Sequence, residues 1–108
     1  MYARNVSFRL KSNMQSDYTR TFENQILPLL RKQKGFKDEI TLSNPGNLER
    51  ISMSLWDNKS NAEAYDANVY AQVLKILSKV IDGKPKIRIF EAVALNLDHG
   101  TVAERQSS

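Results

Sequence analysis

The hydrophobic period of this chain changes four times, from two residues to three or four and back. Few folds accept that order. VSFRLK (6–11) alternates Val6, Phe8 and Leu10 with Ser7, Arg9 and Lys11, as a half-buried strand does. From about Ser16 to Lys34, residues Tyr18, Phe22, Ile26, Leu29 and Leu30 recur at helical spacing and predict one amphipathic helix, stopped by Gly35. Pro28 has no N–H for the carbonyl of Asn24, so a kink or local opening is expected there.

GFKDEITL (35–42) reads as a second strand and NPGN (44–47) as a turn. LERISMSLW (48–56) reads as a third strand. A second helix is expected from Ser60, where Ser60 and Glu63 have capping-box spacing, and the polar DAN at 66–68 offers a place for it to split. Asp82-Gly83 is expected to end it, and KIRIFEAVAL (86–95) to form the last strand. The order is β-α-β-β-α-β: an α+β, ferredoxin-like domain with a four-stranded antiparallel sheet. QILPLLRK (25–32) and QVLKILSK (72–79), each near a helix end and ahead of a glycine and a strand, echo one another in support.

With 108 residues and 41% hydrophobic content, the chain has material for one domain, read as 1–97, and a polar tail, 98–108, expected to be mobile. The formal charge of +4 is spread among acids in most segments, and RKQK (31–34) falls at a helix end, where cations complement the dipole. A nucleic-acid partner is therefore not expected. No run is apolar enough to span a bilayer, and no secretory leader is read at the start. The absence of cysteine is compatible with a reducing cytoplasm and removes thiolate chemistry.

Two helices on one side of four strands leave the other side of the sheet bare. By strand parity Ile51, Met53 and Leu55 are expected toward the helices. The bare face would then carry Ser7, Arg9, Lys37, Glu39, Thr41, Arg50, Ser52, Ser54 and Trp56, and also Arg88, Phe90, Ala92 and Ala94. Trp56, Phe90, Ala92 and Ala94 make an apolar patch there, so a homodimer through the open face is expected.

LPLLRKQKGFKDE (27–39), followed by ISMSLWDNKSNAEAY (51–65), resembles the antibiotic biosynthesis monooxygenase (ABM) group over roughly residues 3–97. The helix end running into Gly-Phe and the strand ending in tryptophan before a helix are the landmarks. The resemblance implies a dimeric α/β barrel and, as an activity, an oxidoreductase: a cofactor-independent monooxygenase acting on a small polyketide- or quinol-like aromatic. A dimeric small-ligand-binding domain without that chemistry is the alternative.

The haem-degrading branch of the superfamily places a tryptophan and a histidine where Tyr65 and Lys75 stand. A protonated lysine does not ligate iron, and the chain's one histidine, His99, falls in the tail. Haem degradation is therefore not expected, and neither a metal nor another cofactor is called for. By the resemblance Asn5 matches a first-strand asparagine, although parity turns it away from Val6, Phe8 and Leu10.

The candidate catalytic residues are Tyr65, as a hydrogen-bond donor to a phenol or quinone oxygen, and Asn5. Trp56, Tyr18, Tyr70 and Phe22 are candidate substrate-binding residues. Each has a plain structural alternative: Trp56 at an interface or in barrel packing, the tyrosines as core residues with hydroxyls at the rim, Phe22 as core. Arg31 and Lys34 read as helix-end cations, with Arg31 also able to meet an anionic ligand, and His99 as a solvated side chain.

Overall fold

A computed structural model describes residues 1–93; Ala94, His99 and the tail at 98–108 lie outside the described residues. Strand β1 (Tyr2–Leu10) leads into helix α1 (Gln15–Thr21), a π-helical segment (Phe22–Ile26) and helix α2 (Leu27–Arg31). Strands β2 (Phe36–Ser43) and β3 (Glu49–Trp56) follow, then α3 (Lys59–Asn68), α4 (Tyr70–Leu77) and β4 (Ile81–Glu91). All pairings are antiparallel, in the order β2-β3-β1-β4. This is the ferredoxin-like sheet expected from the order of periods.

The opening expected at Pro28 takes the form of the π segment. The N–H of Leu27 reaches back five residues to the carbonyl of Phe22, so the helix widens in the turn that meets the proline. Gly35 ends α2's connection at φ +83°. A Cβ there would stand 2.2 Å from Oδ1 of Asp57, whose N–H donates to the Gly35 carbonyl at 2.8 Å. Only glycine fits that approach.

Several boundaries differ from expectation: β1 begins at Tyr2, β4 runs Ile81–Glu91, and α2 stops at Arg31, short of Lys34, with Gly35 in the turn that follows. Asn58 caps α3, its Oδ1 accepting from the Asn61 N–H at 2.9 Å, so the helix starts one residue before Ser60, which itself donates to Asn58. An asparagine already extended at φ −150° outcompetes the serine two residues on. Asp82-Gly83 does not end a helix either. Helix α4 stops at Leu77, and the pair lies inside β4, where Gly83 (φ +75°) falls in the register shift of β4 between its partners Ser7 and Arg9 on β1. The helix does split beside DAN, at Val69 (φ −125°), between α3 and α4.

The largest correction concerns the faces of β2 and β3. Register sets Val6 opposite Ser52, Arg4 opposite Ser54 and Tyr2 opposite Trp56. Val6, Phe8 and Leu10 belong to the core with Trp56, so Ser52 and Ser54 face the helices and Ile51, Met53 and Leu55 face away. On β2, Glu39 and Thr41 share the helix side with Ser52, to which Glu39 is bonded, while Ile40 and Leu42 pair with Met53 and Ile51 on the bare side. Trp56 is fully buried and leaves the patch expected on the open face. Phe90, opposite Ala3 and 41% exposed, stays on it. The bare face is therefore more apolar than parity alone suggested: Ile40, Leu42, Ile51, Met53, Leu55 and Phe90 lie across three strands.

Candidate active site

The helix-covered side of the sheet is built from rows of paired residues. One row runs Glu39, Ser54, Arg4 across β2, β3 and β1; the next runs Thr41, Ser52, Val6. These are polar for an interior surface, and the helices do not fill the space above them. Tyr18 and Phe22 come from the first helical stretch, Tyr65 from α3, Tyr70 and Val73 from α4. Together with Arg4, Ser52 and Ser54 they enclose a cavity of about 30 Å³. A cavity able to hold benzene is nearer ~150 Å³, so this one has room for a water molecule or two. Tyr18 and Phe22 also wall a surface groove of about 460 Å³ that carries Glu39, Thr41 and Arg50.

Arg4 is the side chain that organises the cavity. It is 2% exposed, and its NH2 group donates to Oδ1 of Asp66 at 2.5 Å. Its guanidinium carbon lies 4.1 Å from the ring centre of Tyr70 and 5.1 Å from that of Tyr65. A cation stacked on two desolvated rings gains from both π faces. Nε of Arg4, the Tyr70 hydroxyl and the Tyr18 hydroxyl are buried and make no hydrogen bond of good geometry among the described residues, although Tyr70 stands beside the Arg4 guanidinium and Tyr18 beside Thr41. The reading of β1 began at Val6; one further step of the same alternation reaches Arg4, and a charged residue on an apolar parity was the signal that could have found it.

Burial pushes the phenols of Tyr65 and Tyr18 up to about 12, with the Arg4 charge opposing the rise at Tyr65. Tyr70 is raised for the same reason, again against Arg4. All three are therefore donors near neutral pH and not bases. Glu39 is the carboxylate nearby with a perturbed affinity for its proton. Burial raises it, while bonds accepted at Oε2 from Ser52 (2.7 Å) and Thr41 (2.8 Å) hold the shift back.

The other candidates fall in distinct places. Trp56 packs at 5.1 Å on Tyr65 and 5.6 Å on Phe36 and does not line the cavity; its indole N–H donates to Ser54 Oγ at 2.9 Å, holding the wall from behind. Tyr18 stacks between Phe8 (5.4 Å) and Phe22 (5.9 Å). Asn5 pairs in unbroken register with Met53 and Arg88, on the side of the sheet away from Arg4 and Tyr65, and Oδ1 is buried there without a partner among the described residues. No bulge returns it to the cavity; the irregularity of β1–β4 pairing lies beyond Ser7. Lys75 is exposed on α4, whose buried positions are Val73 and Leu77, and it meets Met14, Asp17 and Thr21 across a separate groove.

The fold is shared with solved structures across most of the chain. A monooxygenase from the gene ActVA-Orf6 of Streptomyces coelicolor, in complex with the ligand Nanaomycin D, superposes with a TM-score of 0.75 at 15% identity, covering 90% of this chain and 91% of that one. This chain has the fold of solved structures named as antibiotic biosynthesis monooxygenases, such as one from Deinococcus radiodurans (TM-score 0.71, 16% identity, covering 91% of this chain and 99% of that one). The NE2512 protein of unknown function from Nitrosomonas europaea gives 0.73 at 17% identity over 92% and 95% of the two chains. SnoaB, a cofactor-independent oxygenase from Streptomyces nogalater, gives 0.66 at 13% over 87% and 94%. No protein-family model and no curated protein matches the sequence. The ABM fold thus hosts proteins with and without a stated activity, and chemistry has to be argued from the site.

Proposed function

We propose that the protein is a cofactor-independent monooxygenase acting on a small electron-rich aromatic of the anthrone or quinol type. The observation that supports it is the cluster of Arg4, Tyr65 and Tyr70 on a largely apolar cavity in the interior of the ABM fold, with Ser52 and Ser54 on its wall. For a substrate that spans the groove and the cavity, past Tyr18 and Phe22 which wall both, Glu39 takes a proton on the groove side, Tyr65 donates to a carbonyl or phenol oxygen on the cavity side, and the carbanion reacts with dioxygen. For an anthrone methylene, a C–O bond forms, and the hydroperoxide loses water to leave a carbonyl. One oxygen atom enters the product and the other leaves as water. The protein's contribution is positioning and a dry, preorganised set of donors.

Oxygen uptake with an anthrone and a quinol panel tests this. Tyr65→Phe should lower kcat/KM by at least ~10-fold while leaving the fold intact. No turnover of any member by the wild-type chain would remove the reading.

The small cavity volume favours a second reading, a domain that binds a small ligand without oxygen chemistry, because a ring enters only if Tyr18 or Phe22 moves. Saturable binding of the panel with no oxygen uptake would select it.

The working unit in either reading is a homodimer closed through the bare sheet face, its two sheets packed face to face. Ile40 (51% exposed), Leu42 (44%) and Phe90 (41%) support this, since burying such a face stabilises a pair. No helix among the described residues is long and apolar enough to cross a membrane. A cytoplasmic setting is part of the proposal, and the cysteine-free sequence is compatible with it.

A further inference from the structure

Arg4 has a charge that its surroundings only partly answer. A guanidinium offers five N–H donors, and a buried cation is stable only when its charge and its donors are met. The structure gives Arg4 one carboxylate partner, Asp66, whose side chain is 43% exposed and so shares its charge with solvent. Among the described residues the Arg4 Nε has no acceptor, and the same holds for the adjoining Tyr70 hydroxyl. Both residues wall the interior cavity. Two kinds of donor, a permanent cation and a phenol kept protonated by burial, converge where no acceptor stands.

We propose that Arg4 and Tyr70 form an anion-holding site that receives a negatively charged oxygen of the ligand, a phenolate, enolate or carboxylate attached to an aromatic body, in competition with Asp66. The inference gives the ligand its charge and rests on the reading of this cavity as the ligand site. It assigns Asp66 a role as well: the internal counter-ion that holds Arg4 until a ligand anion replaces it. An incoming anion satisfies Nε and the Tyr70 hydroxyl together, whereas a neutral ether or carbonyl accepts the hydrogen bonds and leaves the charge unanswered.

Calorimetric titration with a matched pair of probes tests the site: 2-hydroxy-1,4-naphthoquinone, an anion at neutral pH, and its neutral 2-methoxy analogue. The wild-type chain should bind the anion at least ten-fold more tightly. Arg4→Met, which keeps the apolar stem, should erase that preference, and Tyr70→Phe should reduce it several-fold. Asp66→Asn is the decisive variant, because Asp66 is 43% exposed and asparagine keeps an oxygen that accepts from Arg4. Removing the competing carboxylate should tighten the anion several-fold and leave the neutral probe unchanged. A purely structural Arg4–Asp66 pair predicts only lost stability in that variant. Equal affinity for the two probes, or a preference that survives Arg4→Met, or an Asp66→Asn variant with unchanged or weakened anion binding, overturns the proposal and leaves the oxygenase reading standing. Absence of binding by both probes sinks both.

Discussion

The two sides of the sheet invert the usual pattern of a half-buried strand. On β3 the helix-covered side carries Arg50, Ser52 and Ser54 and ends in Trp56, while the bare side carries Ile51, Met53 and Leu55. On β2 the covered side has Glu39 and Thr41, the bare side Ile40 and Leu42. An alternation of apolar and polar residues states that two faces differ; it does not state which one the helices cover. Here the covered face of β2 and β3 is polar where it borders the cavity and the groove, and the bare face is apolar because, in the proposed dimer, a second sheet covers it. Strand β1 keeps the ordinary sense, with Val6, Phe8 and Leu10 inward, and departs from it only at Arg4.

Neighbouring residues on β3 let this contrast be broken directly. Trp56→Ala should cost about 3–5 kcal/mol of stability, since it removes a fully buried indole touching Tyr65 and Phe36. That loss should be independent of protein concentration in denaturant titrations. Met53→Lys, three residues away on the opposite face, should instead leave a folded chain and raise the dimer dissociation constant by about 100-fold, read by sedimentation. An equally concentration-independent loss for Met53→Lys, or a wild-type chain that sediments as a monomer at micromolar concentration, breaks the interface side of the comparison.

Gly35→Ala should cost about 2 kcal/mol by thermal unfolding, given its positive φ and the crowding by Asp57 and Asn61. It acts at the junction where α2 enters the sheet, so it should affect both faces alike.

The smallest effect compares Glu39 with Ile40. Burial raises the Glu39 pKa, so the folded chain holds that proton more tightly than the unfolded chain does. Its stabilising contribution is therefore present below the unfolded carboxylate value and lost as pH rises through the folded one. Glu39→Gln should raise Tm by a degree or two near neutral pH, with no gain in acid, while lowering oxygen uptake. Ile40→Gln on the bare face should leave uptake per dimer unchanged and show the same Tm shift at both pH values. A Glu39→Gln variant that keeps full activity removes Glu39 from the chemistry.

Much of the architecture was legible because it depends on local period and turn chemistry. The order of strands and helices, the break at Pro28, the turn at Gly35 (though the helix ends earlier, at Arg31) and the split beside Asn68 all follow from neighbours in sequence. Tyr65, Tyr18, Tyr70 and Phe22 were legible as aromatics on helical stripes, and the structure brings all four to one cavity. Trp56 was misplaced because parity has no sign until pairing fixes it, and a single step moves a side chain through the sheet. Asn5 entered only by the resemblance, and its parity already turned it away from the core, as the register does. Arg4 and Glu39 went unseen as site residues because a charge at a strand end or edge reads as solvated. Their burial comes from α3, α4 and the first helical stretch, which no local window contains.

The sequence by itself determined the β-α-β-β-α-β order, through periods of two and 3.6 that each element needs in order to bury one side. Only the tertiary structure decided which side of β2 and β3 is inside. That choice is made by antiparallel register, Arg4 against Ser54 and Val6 against Ser52, and register is a long-range property. From it follow both the bare apolar face and the buried arginine between two tyrosines.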